Sequence, residues 1–246
     1  MSIPPYVFEP HHEVVRDYAE WSGRPLEELV ADLCDFRRIV REEWESLPPG
    51  GFAERARAFY GASRTYALDL LRVNTSRADV LAKLDRFEPR VLASLRAHPG
   101  RRLLEFGGGT GVFCQAMAEE GRAVTYVDLP GPVAEFAAWR FRKLGLDVEV
   151  LLVPPGEPPR LPGTWDLLFS DAVLEHVPDP EATARTLARA LSPGGFLALL
   201  VDLEGENPEI PMHREVDVAA VHAALEAEGL LPEFGKGAFA SGWRRP

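Results

Sequence analysis

Apolar residues recur at spacings of three and four over the first 98 positions, and no segment there alternates like a strand. Leu26, Leu29, Val30, Leu33, Phe36, Val40, Trp44 and Leu47 trace one helical stripe. Pro25 precedes it, where a helix tolerates proline, and Pro48-Pro49-Gly50-Gly51 stops it. The same reading predicts helices over 52–72 and over 78–97, the latter carrying Val80, Leu81, Leu84, Val91, Leu92 and Leu95. His98-Pro99-Gly100 then breaks the pattern.

Beyond residue 100 the texture changes. Short Val-, Leu- and Phe-rich runs predict strands at 102–106, 123–127, 148–152, 166–170 and 196–201. Helical stretches at 112–120, 132–144 and 180–191 separate them. The strands lack polar alternation, as in a parallel sheet covered on both faces. Ser192-Pro193-Gly194-Gly195 reads as a turn into the fifth strand. A helix over 216–228 ends at Gly229, and 230–243 supplies two more short strands. The expected architecture is α/β: a doubly wound, mostly parallel seven-stranded sheet over 99–246, with an N-terminal helical region over 1–98. Ligands bind such sheets at the carboxyl ends of the strands.

The formal charge of −11 argues against a nucleic-acid partner and against an anionic membrane surface. Cys34 and Cys114 are too few for a disulfide framework, which points to a reducing cytoplasm. The start, Met1-Ser2-Ile3-Pro4-Pro5, has neither the basic nor the apolar segment of a signal peptide, and no apolar run is of bilayer length. Three lysines against 24 arginines are read as genome composition. A homodimer is left open.

The chemistry concentrates at Leu103-Leu104-Glu105-Phe106-Gly107-Gly108-Gly109-Thr110-Gly111. A buried strand ends on an acid, and alternating glycines then let the backbone approach a ligand at a helix N-terminus. The spacing excludes two nucleotide-binding turns. The dinucleotide fingerprint G-x-G-x-x-G would need Gly or Ala at Val112 or Cys114. A phosphate-cradling P-loop needs a lysine, and none occurs between Lys83 and Lys143. Asp128 ends the next predicted strand, about 20 residues on, where an acid accepts ribose hydroxyl protons. Its alternative role is to cap the helix near Pro132.

Residues 103–111 resemble motif I of the class I S-adenosylmethionine-dependent methyltransferases, a Rossmann-like family. Trp165 to Val177 resembles the family's fourth strand and following turn, and Ser192-Pro193-Gly194-Gly195-Phe196-Leu197 its entry into strand five. With Asp128 these occur in the family's order over about 100–201. The resemblance implies S-adenosylmethionine as cofactor. It places the cofactor at Glu105, Phe106, Gly107, Gly109, Gly111, Asp128, Leu129, Val153, Ser170, Asp171 and Ala172. Glu105 would serve the methionine end, Asp128 the ribose and Leu129 the adenine face. One departure stands at Val153-Pro154-Pro155-Gly156-Glu157, where many members carry an acid for the adenine amino group. Main-chain carbonyls or Glu157 would replace it.

The resemblance further implies methyl transfer to a small molecule, with oxygen as the expected acceptor and nitrogen or carbon as alternatives. A non-catalytic protein that only binds the cofactor is a further alternative. His176 is the candidate catalytic base, as in O-methyltransferases with a histidine after strand four; Glu175 can take that place by a one-residue shift. A packing or capping role for His176 is the competing reading. No metal is expected: Asp171, Asp202, Glu204 and Asn207 do not reproduce the Asp-Asn pair of catechol-type enzymes, and His11-His12 lacks partners at zinc spacing. His213 lies on the loop after strand five, which in the family often touches substrate; a surface loop is the favoured reading. Ser170-Asp171-Ala172-Val173 replaces the Asn/Asp-Pro-Pro-Tyr/Phe of base-methylating enzymes. The helical residues 1–98 would fold over the cofactor and shape the acceptor pocket. Tyr6, Phe8, Trp21, Phe59, Tyr60 and Tyr66 are available there, and are read chiefly as core.

Overall fold

Strand alternation sorts the apolar side chains of this chain onto two faces of one sheet. A computed structural model describes residues 13–154, 158–201 and 210–246. Leu103, Val124, Tyr126, Leu167 and Phe169 face one way and pack against helices from both halves of the chain. Their neighbours Leu104, Val127, Leu168 and Leu197 face the other way. That period of two on consecutive apolar residues is the mark of a sheet buried on both sides.

The N-terminal region forms α1 (Glu13–Ser22), α2 (Leu26–Cys34), α3 (Phe36–Ser46), α4 (Phe52–Ala62), α5 (Tyr66–Val73), α6 (Arg77–Phe87) and α7 (Pro89–Ala97). All three helices expected there are broken in two. The 26–47 stripe is interrupted at Asp35. The 52–72 helix stops at Ser63, whose hydroxyl accepts from the Tyr66 amide at 2.9 Å and so starts the next helix. The 78–97 helix breaks at Glu88, which caps α7 by accepting from the Arg90 amide, with Pro89 in its first turn. Periodicity survives these breaks because each pair of helices keeps its apolar face toward the same core.

The sheet domain follows as β1 (Arg102–Phe106), α8 (Val112–Glu119), β2 (Ala123–Asp128), α9 (Pro132–Leu144), β3 (Val148–Leu152), β4 (Trp165–Asp171), α10 (Pro180–Arg189), β5 (Leu191–Leu200), α11 (Val218–Ala227), β6 (Leu231–Phe234) and β7 (Ala240–Arg244). Strand order is β3-β2-β1-β4-β5-β7-β6. Five strands are parallel, and β7 runs antiparallel to both its neighbours. The fifth strand starts earlier than its apolar run: Leu191 already pairs with Trp165, and a register shift lies between Trp165 and Leu167. The order reverses between β1 and β4, so the loops leaving them diverge and open a crevice at their carboxyl ends.

The helical region shares its core with the sheet. Leu29, Leu71 and Leu95 join Leu103, Tyr126 and Phe169 in one cluster. A second bond between the halves is polar. Arg140 of α9 is fully buried. It donates to Asp17 of α1 at 3.0 Å, to the Thr110 carbonyl at 3.3 Å and to Gln115 at 2.8 Å. A smaller cluster joins Val40, Trp44, Ala56 and Phe59 to Ile210 and Met212 beyond β5. Among the described residues no helix is long and apolar enough to cross a membrane.

Candidate functional site

The glycine turn after β1 is tied down on three sides. The Gly107 and Gly108 amides donate to the Val127 carbonyl at 2.8 and 3.2 Å. Gly107, Gly109 and Gly111 all have positive φ, a conformation glycine adopts without cost. A Cβ on Gly107 would sit 2.3 Å from Val173, and one on Gly111 would sit 2.5 Å from Phe141. The turn therefore combines left-handed backbone with close packing, and leaves its ligand face open.

Asp128 at the end of β2 completes that turn. Its Oδ2 accepts from the Gly109 amide at 2.8 Å and from the Tyr126 hydroxyl at 3.1 Å, and its Oδ1 accepts from the Leu129 amide at 2.7 Å. It does not cap α9, which begins after Gly131 without a side-chain cap. Glu105 is buried, and its Oε2 accepts from the Cys114 amide at 3.0 Å, one of the open donors of α8. Burial, reinforced by the Asp171 and Asp128 charges, pushes the Glu105 carboxyl up to about 8.

The end of β4 forms the facing wall. Asp171 accepts from the Lys83 ammonium of α6 at 2.8 Å, an ion pair joining the helical region to the sheet. Ala172 follows with φ of 54°, the one non-glycine residue with positive φ among the described residues. Such outliers concentrate at functional sites. The chain then turns through Val173 to His176, whose amide donates to the Val173 carbonyl at 2.9 Å.

His176 is nearly enclosed. Nδ1 lies 2.6 Å from the Tyr60 hydroxyl of α4. The Met212 carbonyl lies 3.2 Å from that hydroxyl and 3.4 Å from Nδ1. The His213 ring stands 4.6 Å from the imidazole and the Tyr66 ring 6.1 Å away. Burial, together with His213, holds the His176 pKa well below 6.5, so the ring is neutral at physiological pH. Tyr60 and Tyr66 are pushed well above 10, chiefly by burial, and keep their protons.

These groups line one cavity of about 800 Å³ between the helical region and the strand ends. Of the residues expected to hold cofactor, Glu105, Phe106, Gly107, Gly109, Asp128, Leu129, Val153, Asp171 and Ala172 line it, with His176 on the same wall. Gly111 and Ser170 do not. Gly111 turns toward Phe141, and Ser170 is fully buried on the opposite face of β4 from its neighbours Phe169 and Asp171. Glu157, Asp202, Glu204, Asn207, His11, His12, Tyr6 and Phe8 lie outside the described residues. Among the described residues no three His, Cys, Asp or Glu side chains converge as metal ligands.

Sequence reasoning missed Lys83 and favoured a surface loop over a substrate-side loop for His213, which is half-buried and lines the cavity. It also assigned Tyr60 and Tyr66 to the core, and both line the cavity beside His176. The Tyr residues carried only a weak cue, since each lies in a helical stripe that also serves the core.

Residues 73–241 match the family described as "Methyltransferase domain". A ubiquinone biosynthesis O-methyltransferase of Bordetella avium is 36% identical over 99 residues, covering 40% of this chain and 41% of the relative. Its counterpart from Caulobacter vibrioides is 30% identical over 184 residues, covering 72% of this chain and 62% of the relative. The chain thus spans about two fifths to three fifths of the length of these relatives. A crystal structure of an S-adenosylmethionine-dependent methyltransferase from Mesorhizobium loti superposes with a TM-score of 0.51 at 20% identity, covering 64% of this chain and 96% of that one. This last likeness is one of fold.

Proposed function

The chain belongs to the methyltransferase-domain family, the class I S-adenosylmethionine-dependent enzymes, and we propose that it methylates a hydroxyl of a small molecule with His176 as general base. The observation that carries this reading is the neutral, hydrogen-bonded imidazole of His176 on the wall of the cavity that the glycine turn and Asp128 also line.

The residues present fit the cofactor. The glycine turn is a cradle that Cβ atoms would obstruct, and Asp128 is anchored at its rim. Glu105 and Asp171 supply carboxyl groups for a cationic ligand. Bound S-adenosylmethionine supplies an electrophilic methyl group on a sulfonium. The protein's task is then to align the acceptor, exclude water and receive one proton.

His176 suits that last role. Three groups share two protons: Nδ1, the Tyr60 hydroxyl and the Met212 carbonyl. The arrangement that gives each contact its own proton fixes the tautomer. Nδ1–H donates to Tyr60, and Tyr60 donates to Met212. The basic lone pair is then on Nε2, as a proton acceptor requires. With the cofactor supplying the methyl group, Nε2 of His176 would receive the acceptor's hydroxyl proton. Cys34 and Cys114 are free thiols, which supports the cytoplasmic reading.

The test is direct. The protein is incubated with methyl-labelled S-adenosylmethionine and a panel of phenols, amines and carbon acids, and calorimetry compares S-adenosylhomocysteine with NAD. Label appearing on phenols, with S-adenosylhomocysteine binding, is the expected result. Binding of NAD without S-adenosylhomocysteine overturns the cofactor assignment, and label on amines or carbon alone overturns the O-methylation.

A further inference from the structure

Tyr60 and Tyr66 stand on one wall of the cavity, and their hydroxyls differ. The Tyr60 hydroxyl is committed to His176 and the Met212 carbonyl. That of Tyr66 makes no hydrogen bond among the described residues, although its backbone amide does. Proton transfer to His176 does not use it.

Packing fixes where this phenol stands. Tyr66 opens α5, where its amide donates to the Ser63 hydroxyl at 2.9 Å. Its ring meets those of Tyr60, Phe59 and His176 edge to face, at 4.8, 5.8 and 6.1 Å between centroids. Such contacts hold a ring in one orientation. One helical turn on, Leu70 covers the glycine turn: a Cβ on Gly109 would sit 3.4 Å from it. Residues four apart share a helix face. The face of α5 that carries Tyr66 and Leu70 therefore reaches from His176 to the glycine turn.

The charge around the hydroxyl is negative. Asp69 lies three residues on in the same helix, Asp128 ends β2, and Glu175 adjoins His176. Burial, and then these three carboxyl groups, push the Tyr66 pKa well above 10. The phenol is thus neutral, and its surroundings favour a cation over an anion. S-adenosylmethionine carries a positive charge on sulfur. That sulfur joins the ribose to the methionine chain, and its methyl group must reach an acceptor beside His176.

We propose that Tyr66 meets the sulfonium of the bound cofactor, its phenol oxygen turned to the positive sulfur and the methyl group on it. This rests on the methyltransferase reading and adds a residue that tells the cofactor from its product. The lone pairs of the oxygen attract the cation. S-adenosylhomocysteine is the neutral thioether left after transfer. It gains nothing from the contact and leaves more readily.

Calorimetry compares S-adenosylhomocysteine with sinefungin, an analogue in which a protonated amine on carbon replaces the methylsulfonium. Sinefungin transfers no methyl group, so binding is read without turnover. The wild type should bind sinefungin more tightly than S-adenosylhomocysteine. Tyr66→Phe keeps the ring and removes the oxygen. It should weaken sinefungin by about fivefold, within the range of one hydrogen bond. S-adenosylhomocysteine should stay within twofold, which also shows that the fold is intact. Tyr60→Phe, which removes the oxygen that serves His176, should leave both ligands within twofold. Equal losses for both ligands in Tyr66→Phe, or no loss for sinefungin, overturn the proposal. So does a comparable loss of sinefungin in Tyr60→Phe, or a wild type that binds both ligands equally. Failure of the wild type to bind either ligand is a different result: it overturns the cofactor reading on which the proposal rests.

Discussion

The Tyr60 hydroxyl lies 2.6 Å from Nδ1 of His176, and 116 positions separate the two residues in the chain. A helix of the N-terminal region thereby sets the hydrogen bonding of an imidazole held by the loop after β4. His176→Ala should lower kcat by about 10²-fold or more while S-adenosylhomocysteine binds within twofold of wild type. Tyr60→Phe should lower kcat by about tenfold, the worth of one buried hydrogen bond. Because the His176 pKa is held well below 6.5, the acid limb of the kcat/KM profile should lie below that value. Rates near wild type for His176→Ala would return the residue to a packing role.

Asp128 has two duties that a single substitution confounds. It organises the glycine turn through the Gly109 and Leu129 amides and is the candidate ribose ligand. Asp128→Ala should weaken S-adenosylmethionine binding at least tenfold by calorimetry. Asp128→Asn keeps acceptor capacity and should recover part of the folding stability but less of the affinity. Unchanged affinity in both variants would remove the ribose assignment.

Glu105 should make binding pH-dependent. Its carboxyl is pushed from the usual 4.5 to about 8, mainly by burial. Between those values the folded protein keeps a proton that the unfolded chain releases. The cofactor-free protein therefore loses stability as pH rises through that window. A cationic ligand favours the carboxylate. S-adenosylmethionine binding near pH 7 should then release a proton, and affinity should rise from pH 6 to pH 8. Calorimetry in buffers of different ionisation enthalpy measures that release. Glu105→Gln should abolish it and flatten the decline of Tm with pH.

Lys83→Met leaves the Asp171 carboxylate, about one fifth exposed, without the ammonium that holds it. The cost is about 1–3 kcal/mol, read as a drop of several degrees in Tm without cofactor. Proteolysis within α6 and α7 should also speed up, since this pair is one of the links between the helices and β4. A Tm within a degree of wild type would show the pair to be energetically idle.

Ala172 tests the strained corner after β4. An L-residue with φ of 54° carries a left-handed penalty of about 1–2 kcal/mol that glycine avoids. Ala172→Gly should raise the urea midpoint, by up to about 1 kcal/mol in stability after glycine's entropy is set against it. Ala172→Val should lower it by more than that, because a branched side chain fits this conformation poorly.

The side of the cavity proposed for the cofactor was legible in the sequence because the residues that form it are local. A buried strand, a glycine turn and a helix follow one another over Leu103 to Met117, and Asp128 closes the next strand at a predictable distance. Such segments form with little help from distant chain, so residue type and spacing describe them. The sequence by itself determined the fold class, the seven strands, the glycine turn and Asp128. Only the tertiary structure decided what surrounds His176, on the side of the cavity proposed for the acceptor. Tyr60, Tyr66 and Lys83 lie on helices whose apolar pattern says nothing about what each of these side chains meets. They meet His176 and Asp171 because α5 and α6 share a core with the sheet and α4 packs with Ile210 and Met212. The helix breaks at Asp35, Ser63 and Glu88 had the same origin: packing and capping bonds overrode a continuous apolar stripe. Long-range packing has no short-range signature, and the surroundings of His176 depend on it.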